Sequence, residues 1–246
     1  MPLPKKIFIK SAILLGISLI IFVIGLFPNA VQKIYSNGLY PIISSVLRWI
    51  SSIFPFAIGD ILYAAIVIYL LKRIIQFFIS VKRSGWQKTD KIIVPIYILH
   101  TILIFYISFK LLWGLNYSRP SISKQLNISN DKYSAKQLIL LGNYYVKKTN
   151  SLKNQTLKLG KQPQYSIKEL KKISIQAYQN LAKKHPILSY QNPSFKPVLS
   201  SWLISKAGIS GYYNPLSGEA NLNMYLPEFT KSYISCHEIA HQLGIA

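Results

Sequence analysis

Seventeen consecutive residues, Ser11 to Phe27, carry no charge, and Lys5, Lys6 and Lys10 precede them. At 1.5 Å per residue a helix of this length covers roughly 26 Å, enough for a thin bilayer once flanking residues are counted. Two further apolar runs follow: Phe54 to Leu71, interrupted only by Asp60, and Ile92 to Phe109, uncharged throughout and containing His100. The sequence therefore predicts an α-helical membrane anchor over residues 1–113, with spans near 8–27, 54–71 and 92–112. A cleaved signal peptide competes for the first run, but its length and the poor Pro28-Asn29-Ala30 cleavage context favour an uncleaved anchor. Asp60 reads as a helix cap following Gly59, and His100 as a structural side chain facing a neighbouring helix. Between the first two spans, Tyr35 to Ile53 reads as an amphipathic or interfacial helix carrying Arg48 and Trp49.

Charge then gives an orientation. Lys72, Arg73, Lys82, Arg83, Lys88 and Lys91 lie between spans two and three, opposed by Asp90 alone. The positive-inside rule places that segment and the N-terminus in the cytoplasm, so three spans deliver residues 114–246 to the far side of the membrane. The whole chain has 29 Lys+Arg against 7 Asp+Glu, a net charge of +22. That balance predicts attraction to anionic membrane lipids. Nucleic acid is excluded as a partner because no nucleic-acid fold signature accompanies the lysines. The single cysteine, Cys236, rules out an intrachain disulfide and any Cys-rich metal cluster.

Residues 114–246 are more polar and predict a folded α+β domain. Helical spacing runs over Ser129–Lys148, with a Lys-rich loop expected over 150–164. Ser166-Ile167-Lys168-Glu169 is a capping box opening a helix to about Lys184. After a Pro/Asn/Ser connection, Val198–Ile204, Gly208–Tyr213 and Glu219–Tyr225 read as short strands, the last two joined by a Pro215–Gly218 turn. Thr230 is the expected cap of a final helix.

That helix carries His237-Glu238-Ile239-Ala240-His241, an HExxH motif. Histidines at i and i+4 lie about 40° apart around a helix, so both imidazoles can reach one Zn²⁺ ion. Glu238 can then reach a water on that ion and serve as general base. Tetrahedral catalytic zinc takes a third protein ligand, and none follows in the sequence as written. The expectation is thus a zincin-like domain truncated at its active-site helix. Glu219, Glu228 and His185 are the internal alternatives for that ligand. Glu219 reads as a residue of an edge strand lining a peptide cleft, with Asn221 beside it as a further substrate contact, Glu228 as a first-turn helix residue, and His185 as a loop residue. Cys236 projects about 100° from His237 and reads as a small buried side chain.

The chain also resembles a known family. Trp113-Gly114-Leu115-Asn116-Tyr117, then Gly208-Ile209-Ser210-Gly211-Tyr212-Tyr213-Asn214-Pro215 leading into Gly218-Glu219-Ala220-Asn221-Leu222-Asn223, and finally His237 to Ala246, are similar to blocks of bacterial membrane proteins of unknown function. These proteins have N-terminal spans and a C-terminal HExxH domain placed among zincin-like metallopeptidases. The resemblance implies that His237 and His241 are zinc ligands, that Glu238 is the catalytic carboxylate, and that an acidic third ligand lies beyond the last residue. It implies no particular substrate.

Three functions follow as expectations: a membrane-bound zinc peptidase cleaving a peptide laid along Glu219–Tyr225, a catalytically inactive membrane sensor or scaffold, or a fragment of the peptidase. Tyr212 and Tyr213 are the sequence's only pointers toward an oxyanion donor.

Overall fold

The computed structural model describes residues 5–128, 132–159, 164–191 and 193–245. Its elements run α1 (Lys5–Gly25), a turn α2 (Pro28–Ala30) continuing as a π-helix over Val31–Leu39, α3 (Tyr40–Ser52), α4 (Ile58–Ser84) and α5 (Asp90–Leu112). A 3-10 turn (Gly114–Ser118) leads to α6 (Ile122–Gln125), α7 (Ala135–Leu159) and α8 (Ile167–Ala182). A second 3-10 turn (Pro186–Leu188) precedes β1 (Phe195–Pro197), α9 (Ser201–Lys206), β2 (Gly211–Asn214), β3 (Glu219–Leu222) and α10 (Glu228–Gln242). The chain is mostly helical, with one small sheet.

α1, α4 and α5 are each long and apolar enough to cross a membrane, and few of their residues are buried within the protein. Their outward apolar side chains are the surface a lipid environment accommodates. α4 runs on to Ser84, well past the predicted end of span two, so Lys72, Arg73, Lys82 and Arg83 ride on the helix instead of a loop. α1 packs on α5. His100 is buried there with its Nε2 2.8 Å from Ser11 Oγ, the structural placement its isolation predicts.

The sheet has the order β1-β3-β2, with β3 parallel to β1 and antiparallel to β2. β3 is therefore the central strand, whereas the sequence predicts it at an edge. Alternation along β3 divides its side chains between two layers. Ala220 and Leu222 join Leu170, Tyr178, Phe195 and Ile239 in a core formed with α8 and α10. Glu219 and Asn221 point the other way, toward the anchor. The layer they meet is α3 and the start of α4. The predicted interfacial helix is thus a packed one: Tyr40, Ser44, Arg48 and Ser51, spaced three or four apart, are all buried.

Other expectations are corrected. Val198–Ile204 is not a strand: the strand lies earlier, at Phe195–Pro197, and Ser201–Lys206 is helical. Apolar Val198, Leu199, Trp202, Leu203 and Ile204 suit a strand, but Ser200 and Ser201 open a short helix there. The expected loop over 150–164 is helical to Leu159, because Lys, Asn and Gln lie on an exposed helix face as readily as in a loop. Residues 129–131 and 160–163 of these two expected segments lie outside the described residues. Thr230 does not cap α10; Pro227 holds the cap position, and the Thr230 hydroxyl donates back to its carbonyl. The capping box at Ser166 and Glu169 is formed in full.

Candidate functional site

α10 starts with Glu228, whose carboxylate accepts from Tyr165 N at 3.3 Å and pairs with Lys231 one turn on. That is the helix-terminal role its position predicts. Ile239 enters the core at one side of the helix. His237 and His241 project from another, with ring centroids 4.8 Å apart and planes at 84°. His237 is exposed, with the Tyr233 ring 6.5 Å away and nearly parallel to its own. His241 is half-buried, edge-on to Trp113 at 5.6 Å.

Past His241 the chain closes in a Schellman turn. Gly244 takes a positive φ of 73°, its N–H donates to His241 O, and Ile245 N donates to Ala240 O at 3.1 Å. This turn returns the Ile245 carbonyl to within 2.8 Å of His241 Nδ1. A carbonyl only accepts, so Nδ1 carries the proton and Nε2 keeps its lone pair. Burial also lowers the His241 pKa, favouring the neutral ring.

Glu238 is buried between α10 and β2. A Cβ built on Gly211 would lie 2.9 Å from Glu238 Cγ and Oε1 and 2.7 Å from Asn221 O, so the carboxylate rests directly against the bare α-carbon of that strand. Desolvation raises the Glu238 carboxyl to about 7. A carboxyl in that range can both take and return a proton near neutral pH.

The end of α10 is plugged into the anchor layer. His241 O accepts from Trp113 Nε1 at 2.8 Å and from Tyr40 OH at 3.0 Å, and Gln242 O accepts from Ser44 Oγ at 2.9 Å. Arg119 Nη1 donates to Gly244 O at 3.0 Å. The orphan carbonyls of α10 are therefore satisfied by residues of α3 and of the segment after α5. Gln242 is wholly buried, donating to Ser194 O and Gly218 O and accepting from the Tyr190 hydroxyl.

The predicted substrate contacts lie elsewhere. Glu219 is completely buried and bonded to Lys196 Nζ at 2.6 Å, Gly59 N at 2.6 Å, Ile58 N at 3.1 Å and Ser217 Oγ at 2.7 Å. Its carboxylate thus caps the start of α4, the role the sequence assigns to Asp60. Asp60 instead accepts from Leu199 N at 2.9 Å and from the Tyr212 hydroxyl. Asn221 is equally buried, on the same face of β3. Neither side chain reaches solvent. Tyr212 is held by Asp60, and Tyr213 lies against Trp113 with its hydroxyl 3.3 Å from that of Tyr40. Cys236 is half-buried with its thiol near Ser174, and His185 precedes the Pro186 turn.

The donor set fits two ligands of a divalent ion: Nε2 of His241 and the exposed ring of His237. Among the described residues no third His, Cys, Asp or Glu joins them. Trp113, Tyr40, Ser44, Lys196 and Gln242 were not identified as site-supporting residues from sequence. Their partners are backbone and side-chain groups far away in the chain, which no local pattern records.

Three membrane-length helices joined to a small mixed sheet and an HExxH helix define a membrane protein with a compact, anchor-docked C-terminal unit. The chain belongs to the family described as "Protein of unknown function (DUF3810)", whose model matches residues 35–246. No curated protein and no solved structure matches it.

Proposed function

We propose that the protein is a membrane-anchored, zinc-dependent hydrolase of peptide bonds with a zincin-like C-terminal unit, its N-terminus cytoplasmic and its α10 face outside the inner membrane. The observation that carries the reading is the pairing of His237 and His241 rings at 4.8 Å with a buried carboxyl between them in sequence. His237 and His241 would hold the ion. When bound, it supplies Lewis acidity, polarising a carbonyl and making a water more acidic. Glu238 takes the proton of the attacking water and returns it to the leaving amine, its raised pKa suiting both transfers. Trp113 and the Ile245 carbonyl hold the His241 ring from two sides, so the orientation of Nε2 is set before any ligand arrives. β3 has strands on both sides, so an extended peptide pairs instead along the outer edge of β2, the strand whose Gly211 touches Glu238.

The experiment measures zinc content and peptide hydrolysis of the purified chain and of Glu238→Gln. Stoichiometric zinc with cleavage lost in the variant supports the reading; zinc-dependent cleavage that survives the substitution removes Glu238 from its role. One observation favours a second reading, a sensor or scaffold without catalysis: the third donor is lacking among the described residues. That version expects no stoichiometric zinc at micromolar metal, and tight binding counts against it.

A further inference from the structure

A cavity of about 530 Å³ opens between α3 and the Pro186–Gln191 segment, against the end of α10. It shares Gln242 and Leu243 with the motif helix, but neither motif histidine lines it. Its walls hold two arginines from different elements. Arg48, 7% exposed, uses Nε on Ser44 O at 3.2 Å and lays its guanidinium over the Tyr190 ring at 5.3 Å, while its buried Nη1 has no partner. Arg119 commits Nη1 to Gly244 O and Nη2 to Gln125, while its buried Nε has none. A third buried group on the wall, Ser36 Oγ, is also unpartnered. No Asp or Glu is among the lining residues.

Buried guanidinium N–H groups without acceptors are costly, and burial alone already works against the charge of Arg119. Arg48, Arg119 and Ser36 each keep a donor without an acceptor, and Ser45, Ser189 and Gln191 add polar groups to the lining. They suit the several oxygens of a tetrahedral phosphate, which arginine forks bind with directional bonds. The position supplies the source. Ser36 to Arg48 lie between the end of α1 and the start of α4, and Arg119 lies just past the end of α5. All three helix ends are on one side of the anchor, so the cavity sits at the depth of lipid headgroups.

We infer that this cavity is a phosphate-binding site, held by Arg48, Arg119 and Ser36, for an anionic phospholipid headgroup or a soluble phosphate. The site is independent of metal binding at His237 and His241. An occupant also bears on the α10 end, because Arg119 holds the Gly244 carbonyl there.

The full-length protein in nonionic detergent is titrated with inorganic phosphate and, separately, with phosphatidylglycerol added to the micelles, reading the melting temperature. A rise with phosphatidylglycerol alone assigns the site to the lipid headgroup; a rise with inorganic phosphate assigns it to soluble phosphate. In either case Arg48→Gln and Ser189→Glu weaken the apparent affinity by about tenfold or more, the loss expected for a charge-assisted bond or an inserted like charge. Should Arg48→Gln not fold, Ser189→Glu, at an exposed position, carries the test with circular dichroism confirming its fold. The inference is overturned if neither compound raises the melting temperature or if sodium chloride at equal ionic strength raises it as much. It is also overturned if folded Ser189→Glu keeps wild-type affinity, or if an acidic peptide binds where phosphate does not.

Discussion

Lys196 and Glu219 form a buried ion pair at 2.6 Å, and the same carboxylate accepts the first free N–H groups of α4 at Ile58 and Gly59. Lys196 completes the junction by donating to Ser51 O and Phe56 O. One pair of side chains from adjacent strands thus fastens the sheet to the start of a membrane helix. Removing one partner leaves the other charge buried, so Lys196→Met should destabilise by about 3–5 kcal/mol. Lys196→Met with Glu219→Gln should cost less than the sum of the single changes. Denaturant or thermal unfolding of the three variants in detergent reads both outcomes.

Gly211 is fixed by close approach. An added methyl would lie 2.7 Å from Asn221 O and 2.9 Å from Glu238, and the first of these is backbone that cannot swing aside. Gly211→Ala should cost about 1–3 kcal/mol by overpacking. If Glu238 is the base, the same change lowers kcat more than it changes KM, since the carboxylate is displaced from its working position. Equal kinetics in the two proteins would separate Glu238 from the chemistry.

The Tyr40 hydroxyl reaches His241 O, Gln242 O and Tyr213 OH. Trp113 and Ser44 also serve those two carbonyls, so Tyr40→Phe should cost only about 1 kcal/mol. Trp113→Phe removes the indole donor and alters the ring facing His241 together. It should therefore weaken zinc binding as well as stability, by about tenfold or more in affinity. Competition of each variant with a colorimetric chelator measures this.

His241→Ala should abolish stoichiometric zinc, whereas Glu238→Gln should retain it and lose about 10²–10⁴ in turnover. Metal analysis beside a hydrolysis assay distinguishes the two. Loss of zinc from neither variant would place the ion, if any, elsewhere.

Sidedness has its own test. Lys82, Arg83, Lys88 and Lys91 lie around the α4–α5 turn at Gly85, with Lys72 and Arg73 near the middle of α4. A reporter active only outside the inner membrane, fused after Ala246, should be active, and the same reporter at Gly85 should be silent.

The apolar runs and the HExxH spacing were legible because each is a local pattern. An uncharged run of membrane length and the placing of two histidines one turn apart on a helix both follow from residues close together in sequence. The capping box at Ser166 was legible for the same reason, since both its partners lie within one turn. Glu219 shows where such reading stops. Strand alternation allowed its carboxylate to face either layer, and only the arrival of α4 and Lys196 made it a buried helix cap instead of a cleft residue. Asp60, a plausible cap by position, was released to bind Leu199 N and Tyr212. The end of α10 is a parallel case, its carbonyls matched by Tyr40, Ser44, Trp113 and Arg119 from about 120 to 200 residues away. Sequence by itself determined the three apolar helices, the capped α8 and the motif helix, because those carry periodicity or local caps; it did not place residues 150–159 or Ser201–Lys206 in helices. The tertiary structure decided which strand is central and which polar groups are buried, because a buried donor or acceptor must find its partner wherever the fold brings one.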